Sequence, residues 1–317
     1  MNIALDMMGG DFAPLEAVKG ISLFLAERGN NITLTLIGGE ARVNELLDLH
    51  AVAMENISVV HSSQVIEMHE HPTKALREKP QSSIAIGFNL LATGKTDAFI
   101  SAGNTGAMMV GALFSIKTIE GVLRPTIGAY IPREDGTLGL LVDAGINADC
   151  KAENLSQFAT LGSLYSEHIL GFATPKVGLI NLGEEEGKGN MLAQATYSLL
   201  KDNRHINFIG NIEGRDILLN KADVLVSEGF TGNVILKMAE SLYDLAVRRG
   251  IHDEHFKRYN FEIYGGVPVL GVTKPVIIGH GISHAIAFKN MILTAEKMIA
   301  KDLTQKMKDV FSGGAGS

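Results

Sequence analysis

The sequence predicts an α/β fold in which helices cover both faces of a mainly parallel sheet. Three observations carry this. Seven short apolar runs each stop at a cluster of Gly, Asn, Asp or Ser; each cluster leads into a stretch with helical spacing; and the runs are continuously apolar, as strands buried on both faces are. Such sheets bind ligands beyond the carboxyl ends of their strands, so the loops there are the expected site.

The first run, residues 2–5, stops at Asp6-Met7-Met8-Gly9-Gly10-Asp11. Leu15, Val18, Ile21, Leu23 and Leu25 then predict a helix over 14–28. Run 98–100 leads into Ser101-Ala102-Gly103-Asn104-Thr105-Gly106, run 138–142 into Asp143-Ala144-Gly145-Ile146-Asn147, and run 176–180 into Asn181-Leu182-Gly183. Run 206–209 stops at Gly210-Asn211, run 224–226 at Ser227-Glu228-Gly229-Phe230-Thr231-Gly232-Asn233, and run 276–278 at Gly279-His280-Gly281. Residues 238–263 break the alternation and read as a short helical excursion of helix, charged turn and return. The final stretch predicts one helix over 288–310, with Phe288, Met291, Ala295, Met298, Leu303 and Met307 at three- and four-residue steps and Ser283 as its cap. A small-residue tail over 313–317 is expected to be flexible. No linker or short repeat interrupts the chain, so 1–317 reads as a single large α/β domain with room for two subdomains.

Composition narrows the function. With 46% hydrophobic and 20% charged residues the chain is ordinary globular protein, and its formal charge of -7 argues against nucleic-acid binding, which needs a basic field. The single cysteine, Cys150, rules out an internal disulfide and a cysteine-based zinc site, and fits a reducing cytosol. The amino terminus has no basic region before Asp6, unlike a secretory signal, and no run approaches the roughly 18 uninterrupted apolar residues of a membrane span. A cytoplasmic protein is expected.

Gly-rich turns that open helices bind oxyanions, because bare backbone N–H groups converge on the ligand. Ser101 to Gly106 fits best, with Ser101, Asn104 and Thr105 adding donors; its plainer reading is a tight strand-to-helix turn. Dinucleotide and P-loop glycine spacings are absent, as is a G-x-S-x-G nucleophile elbow. The pair His69 and His71 around Glu70 reads as a surface loop rather than a metal site. His280 lines a strand end, as a structural hydrogen-bonding group or a base. Lys188, among Glu184, Glu185 and Glu186, either reaches into a site on a mobile arm or only balances those acids. Asn233 either stabilises an oxyanion or caps the following helix. Arg248, Arg249, Lys257 and Arg258 form a dense positive cluster, read as a solvated face or a docking patch for an acidic partner.

Taken together, the loops resemble the phosphate acyltransferases of bacterial phospholipid synthesis. The motifs run in order: Asp6 to Pro14, Ser101 to Ala107, Glu153-Asn154-Leu155-Ser156-Gln157-Phe158, Gly183 to Asn190, Gly210 to Asp216, Gly229 to Asn233, and Tyr264-Gly265-Gly266-Val267-Pro268. The resemblance implies a three-layer α/β/α fold related to phosphate acetyltransferases and isocitrate-dehydrogenase-like enzymes. It also implies a homodimer, and transfer of a long-chain fatty acyl group from acyl carrier protein to inorganic phosphate without metal or organic cofactor. On that basis Lys188 and Asn233 are the catalytic choices. Asp6, Gly9, Gly10, Asp11, Ser101, Gly103, Asn104, Thr105, Gly106, Asp143, Asn147, Gly229, Thr231, Gly232 and His280 are the substrate-binding ones, and the four basic residues dock the carrier. Phe12 departs from the usual His, Glu228 from the usual Asp, and Gly281-Ile282-Ser283 from the usual Gly-Ser-Ser. The excursion at 238–263 is shorter than the hairpin that many relatives carry and that is implicated in membrane contact, so weak peripheral membrane association is expected. Competing readings are an acyl-coenzyme A-dependent phosphate acetyltransferase, a decarboxylating dehydrogenase, and a catalytically silent carrier-binding protein.

Overall fold

The computed structural model describes residues 1–29 and 31–312; the tail expected over 313–317 lies outside the described residues. Strand β1 (Asn2–Asp6) leads through the 6–14 loop into helix α1 (Leu15–Arg28), then β2 (Thr33–Gly38), α2 (Glu40–Leu49) and β3 (Ile57–His61). Helices α3 (Pro72–Glu78) and α4 (Ser83–Ala92) precede β4 (Ala98–Ser101) and α5 (Thr105–Gly111), which runs on into a wider π-helical turn over Ala112–Ile116.

A second set of elements follows. Strands β5 (Thr126–Pro132) and β6 (Leu138–Val142) form an antiparallel hairpin. After them come α6 (Ala152–Tyr165), β7 (Lys176–Ile180), α7 (Met191–Asp202), β8 (Asn207–Ile212), β9 (Val224–Val226), α8 (Gly229–Arg248) and α9 (Glu254–Lys257). The chain closes with β10 (Gly266–Leu270), β11 (Val276–Gly279), α10 (Ala285–Ala300) and α11 (Leu303–Ser312).

These elements make two compact units: Met1–Thr118 with Glu262–Thr304, and Ile119–Phe261 with the chain from Gln305. In the first, the strand order is β3-β2-β1-β4-β11-β10, all parallel except the β10–β11 hairpin. In the second it is β5-β6-β9-β7-β8, parallel except β5. The continuous apolar runs are explained by burial on both faces: Ile3, Leu5, Leu34, Leu36, Phe99 and Ile277 in one unit, and Leu140, Leu141, Val177, Val224 and Val226 in the other, are at most 1% exposed. Each such side chain contributes about 1.5–3 kcal/mol by leaving water. In the first unit α1 and α10 lie so close that a Cβ on Gly20 would stand 2.7 Å from the Ala285 carbonyl oxygen. In the second, the buried Arg133 guanidinium pairs with Asp223 at 2.8 Å and lies over the Phe172 ring.

Three expectations are corrected. The fifth strand run does not stop at Gly210-Asn211: β8 continues to Ile212, because one extra residue between Phe208 and Asn211 is absorbed as a bulge where Gly210 takes a φ of 96°. The terminal helix is two helices, broken at Lys301-Asp302, where Asp302 has a φ of 50°. Its first half starts at Ala285 behind His284, while the buried hydroxyl of Ser283, the expected cap, makes no hydrogen bond. The excursion over 238–263 consists of the second half of α8, a turn, and the short α9.

Candidate active site

In the first unit β1, β4 and β11 lie side by side and run in one direction, so their carboxyl ends bring the 6–11, 101–106 and 280–283 loops to one edge. Asp6, buried at the end of β1, accepts the Met8 N–H at 2.8 Å and the Ser101 hydroxyl at 2.7 Å. Ser101 in turn accepts the Gly103 N–H at 2.9 Å. Burial pushes the Asp6 carboxyl above its ordinary value, against the hydroxyls of Ser83 and Ser101 and the amides of Met8 and Gly9, which favour the charged form. Gly9 is required by close approach: a Cβ there would lie 2.6 Å from the Gly103 nitrogen and 2.7 Å from the Asp6 carboxylate. The Asp11 N–H donates to the Gly281 carbonyl at 2.7 Å, joining the loops after β1 and β11.

Two expected ligand donors prove to be builders of this edge. Ser101 spends its hydroxyl on Asp6 and Gly103. Asn104 caps α5 through the Ala107 N–H at 2.9 Å and donates to the carbonyls of Glu67 at 3.0 Å, Met68 at 3.2 Å and Glu70 at 3.0 Å. Their side chains shape the turn, in which Thr105 is exposed and Gly10 and Gly106 are half-buried, while the Gly9 and Gly103 N–H groups are taken by Asp6 and Ser101. His280 follows β11, half-buried. His69 and His71 are exposed and Glu70 is held by Lys79. Among the described residues, no group of three or more His, Cys, Asp or Glu is placed to hold a metal ion.

In the second unit the parallel neighbours β6, β9, β7 and β8 bring the loops 143–147, 227–233, 181–190 and 213–216 to one edge. The buried Asp143 accepts the N–H groups of Gly145, Ile146 and Asn147 and the Asn147 amide, the last two at 2.6 and 2.8 Å. Asp143 and Asn147, like Ser101, are therefore spent on loop structure. Glu228 caps α8, accepting the Thr231 N–H at 2.9 Å and its hydroxyl. Asn233 is thus not the cap. Its exposed amide lies against Gly145, where a Cβ would meet the Asn233 side chain at 3.2 Å. Gly229 and Gly232 let the first turn of α8 press onto this loop, and the Gly229 N–H donates to the Asn147 carbonyl at 2.8 Å.

The loop carrying Lys188 is closed by Asn181, whose amide donates to the Lys188 carbonyl at 3.1 Å, and is tied down by Asn211, whose amide reaches the Glu185 carbonyl at 2.9 Å. Glu184 is taken by Lys221 at 2.6 Å and Glu186 by Lys201 at 3.1 Å. Among the described residues no carboxylate pairs with the exposed Lys188 ammonium, so it does not serve to balance its neighbouring acids. Sequence reasoning missed Asn181, Asn211, Lys201 and Lys221, because their partners lie up to 37 residues away. The signal that was available is Asn190, which caps α7 through the Ala193 N–H and fixes where the loop must end.

Of the basic cluster, Arg248 and Arg249 are exposed at the carboxyl end of α8, where they complement the helix dipole. Lys257 is paired with Glu254, and Arg258 is half-buried and directed at the Thr137 carbonyl. Burial pushes the Cys150 thiol up to about 11, which leaves it uncharged near neutral pH.

A family model described as fatty acid synthesis protein matches residues 1–258. Proteins named phosphate acyltransferase from Dictyoglomus turgidum and Dehalococcoides mccartyi are each 43% identical to this chain, over 97% of it and 96% of their own length. Among solved structures, a phosphotransacetylase from Streptococcus pyogenes matches with a TM-score of 0.67 at 19% identity, covering 94% of both chains. A branched-chain phosphotransacylase from Enterococcus faecalis matches with a TM-score of 0.63 at 15% identity, covering 94% of this chain and 99% of its own. The structural matches speak for a shared fold, and the sequence relatives for more: the chain belongs to the phosphate acyltransferase family, a family of acyltransferase enzymes.

Proposed function

We propose that the protein transfers a long-chain fatty acyl group from acyl carrier protein to inorganic phosphate, by direct attack of phosphate on the thioester. A phosphate oxygen forms a bond to the acyl carbon, the carbon–sulfur bond breaks, and the carrier thiol leaves with the bonding pair, giving acyl phosphate. The observation that carries this reading is Lys188: an ammonium on an anchored loop at a carboxyl edge, with its neighbours Glu184 and Glu186 paired to other lysines. Such a cation neutralises phosphate or polarises the thioester carbonyl, and Asn233 donates its amide to the oxyanion that develops. Phosphate is already anionic near neutral pH, so no side-chain nucleophile is needed. The raised Cys150 thiol supports that economy.

In this reading the loops of the first unit, through Gly10, Thr105, Gly106 and His280, bind phosphate or the donor arm. Arg248 and Arg249 attract the acidic carrier. The homodimer and the weak membrane-surface association implied by the resemblance have an apolar face to draw on in α8, where Phe230, Val234, Met238 and Leu245 are each more than half exposed. Among the described residues no helix is long and apolar enough to cross a membrane. The test of the donor is to supply phosphate with either palmitoyl-acyl carrier protein or palmitoyl-coenzyme A and trap acyl phosphate with hydroxylamine. Higher kcat/KM for the carrier-bound donor is expected; a preference for coenzyme A would replace the carrier in this reading.

A further inference from the structure

Four large apolar side chains crowd one end of the first unit's loop edge without being buried: Phe12 is 43% exposed, Met68 48%, Ile282 45% and Ile286 50%. The fold holds Phe12, Met68 and Ile282 around Gly281, and Ile286 follows in the first turn of α10. A Cβ there would lie 3.1 Å from the Met68 methyl, and the Gly281 carbonyl accepts the Asp11 N–H at 2.7 Å, placing Phe12 next in line. The Phe12 ring stacks on His284 at 4.6 Å, and His284 is fixed by Glu262 at 2.6 Å. Met68 is held from behind by Asn104, which donates to its carbonyl and to those of Glu67 and Glu70. An apolar cluster that is anchored yet left open to water marks a binding surface.

We infer that this rim receives the hydrocarbon part of the acyl donor, making Phe12, Met68 and Ile282 chain-length-determining residues; the inference rests on the acyl-transfer reading. The rim belongs to the loops after β1 and β11, the same loops assigned there to substrate. Its surroundings select the occupant: of the acids around it Glu16, Glu70 and Glu262 are already paired with Lys19, Lys79 and His284, so little unpaired charge opposes a neutral alkyl chain. Burial of each methylene against such a rim tightens binding, so affinity rises with chain length where the rim is intact.

The test compares butyryl- and palmitoyl-acyl carrier protein on the full chain with Phe12→Asn/Ile282→Asn and, separately, Met68→Gln. KM for the palmitoyl donor is expected to rise about tenfold, equivalent to about 1.4 kcal/mol, with KM for the butyryl donor and both kcat values unmoved. Leu49→Asn, an exposed apolar change at the end of α2, leaves all four constants in place. Equal shifts for the two donors, or none, would overturn the inference. So would a change of sedimentation on substitution, which would make the rim a contact between copies of the chain. Equilibrium binding of both donors without phosphate reads the rim apart from turnover. Absence of acyl phosphate with either donor would defeat the proposed reaction, while the binding comparison would still decide the rim.

Discussion

In the proposed reaction Lys188 and Asn233 carry the chemistry, because both side chains are exposed on their edge. The Asp143 and Glu228 carboxylates accept, and the Asn147 amide and Thr231 hydroxyl donate, within the loops themselves. Lys188→Ala is expected to lower kcat/KM about 100-fold and Asn233→Ala about tenfold or more, on the scale of a lost oxyanion contact. Lys188→Arg should recover part of the loss. Steady-state kinetics that match wild type in both alanine variants would remove these residues from the reaction. Asn104 makes the opposite prediction. Its removal strips partners from three carbonyls and the Ala107 N–H, so Asn104→Ala should cost about 2 kcal/mol of stability in urea unfolding. Its position after β4 was legible in the sequence, but its use was not, since Glu67, Met68 and Glu70 lie more than thirty residues earlier.

The elements were read best where hydrophobic period and end signals agreed. Helix α1 is legible from Leu15, Val18 and Ile21, and β6, β7 and β9 from continuous apolar runs that stop at their turn residues. The division of the last helix was not legible: Lys301-Asp302 is neither Gly nor Pro, and the apolar stripe passes through it because both halves bury Met298, Leu303 and Met307. The antiparallel strands β5 and β10 were likewise hidden, as neither ends in a Gly-rich functional loop. Gly232 makes an element-scale prediction. A methyl there would strike the Asp143 carbonyl, so Gly232→Ala should displace the first turn of α8 and lower both the melting temperature and kcat. Asp216, in the turn after β8, makes another. The hydrogen bond from Lys221 at 2.8 Å holds its carboxyl below the ordinary range. Its stabilising contribution is therefore present above the unfolded carboxyl pKa and is lost as pH falls through the depressed one. Asp216→Asn should cost about 1 kcal/mol at neutral pH, with solvent screening at the half-exposed Lys221 included, and flatten the acid limb of stability against pH. A variant with the wild-type acid limb would show that the pair contributes nothing.

Across the whole molecule, a net charge of -7 opposes an acidic partner everywhere except at local basic surface. With Lys257 paired and Arg258 half-buried, the basic cluster read from the sequence reduces to Arg248 and Arg249. Arg248→Glu/Arg249→Glu should raise KM for a carrier-bound donor several-fold and reduce its dependence on salt, with stability nearly unchanged. Unaltered kcat/KM and salt slope would place docking elsewhere. The central claim is direct attack by phosphate. It is tested by following carrier thiol release from palmitoyl-acyl carrier protein together with hydroxylamine-trapped acyl phosphate, with and without inorganic phosphate. The account predicts that both products appear in equal amounts and only when phosphate is present. Thiol release without phosphate, or an acylated protein mass under those conditions, would contradict it.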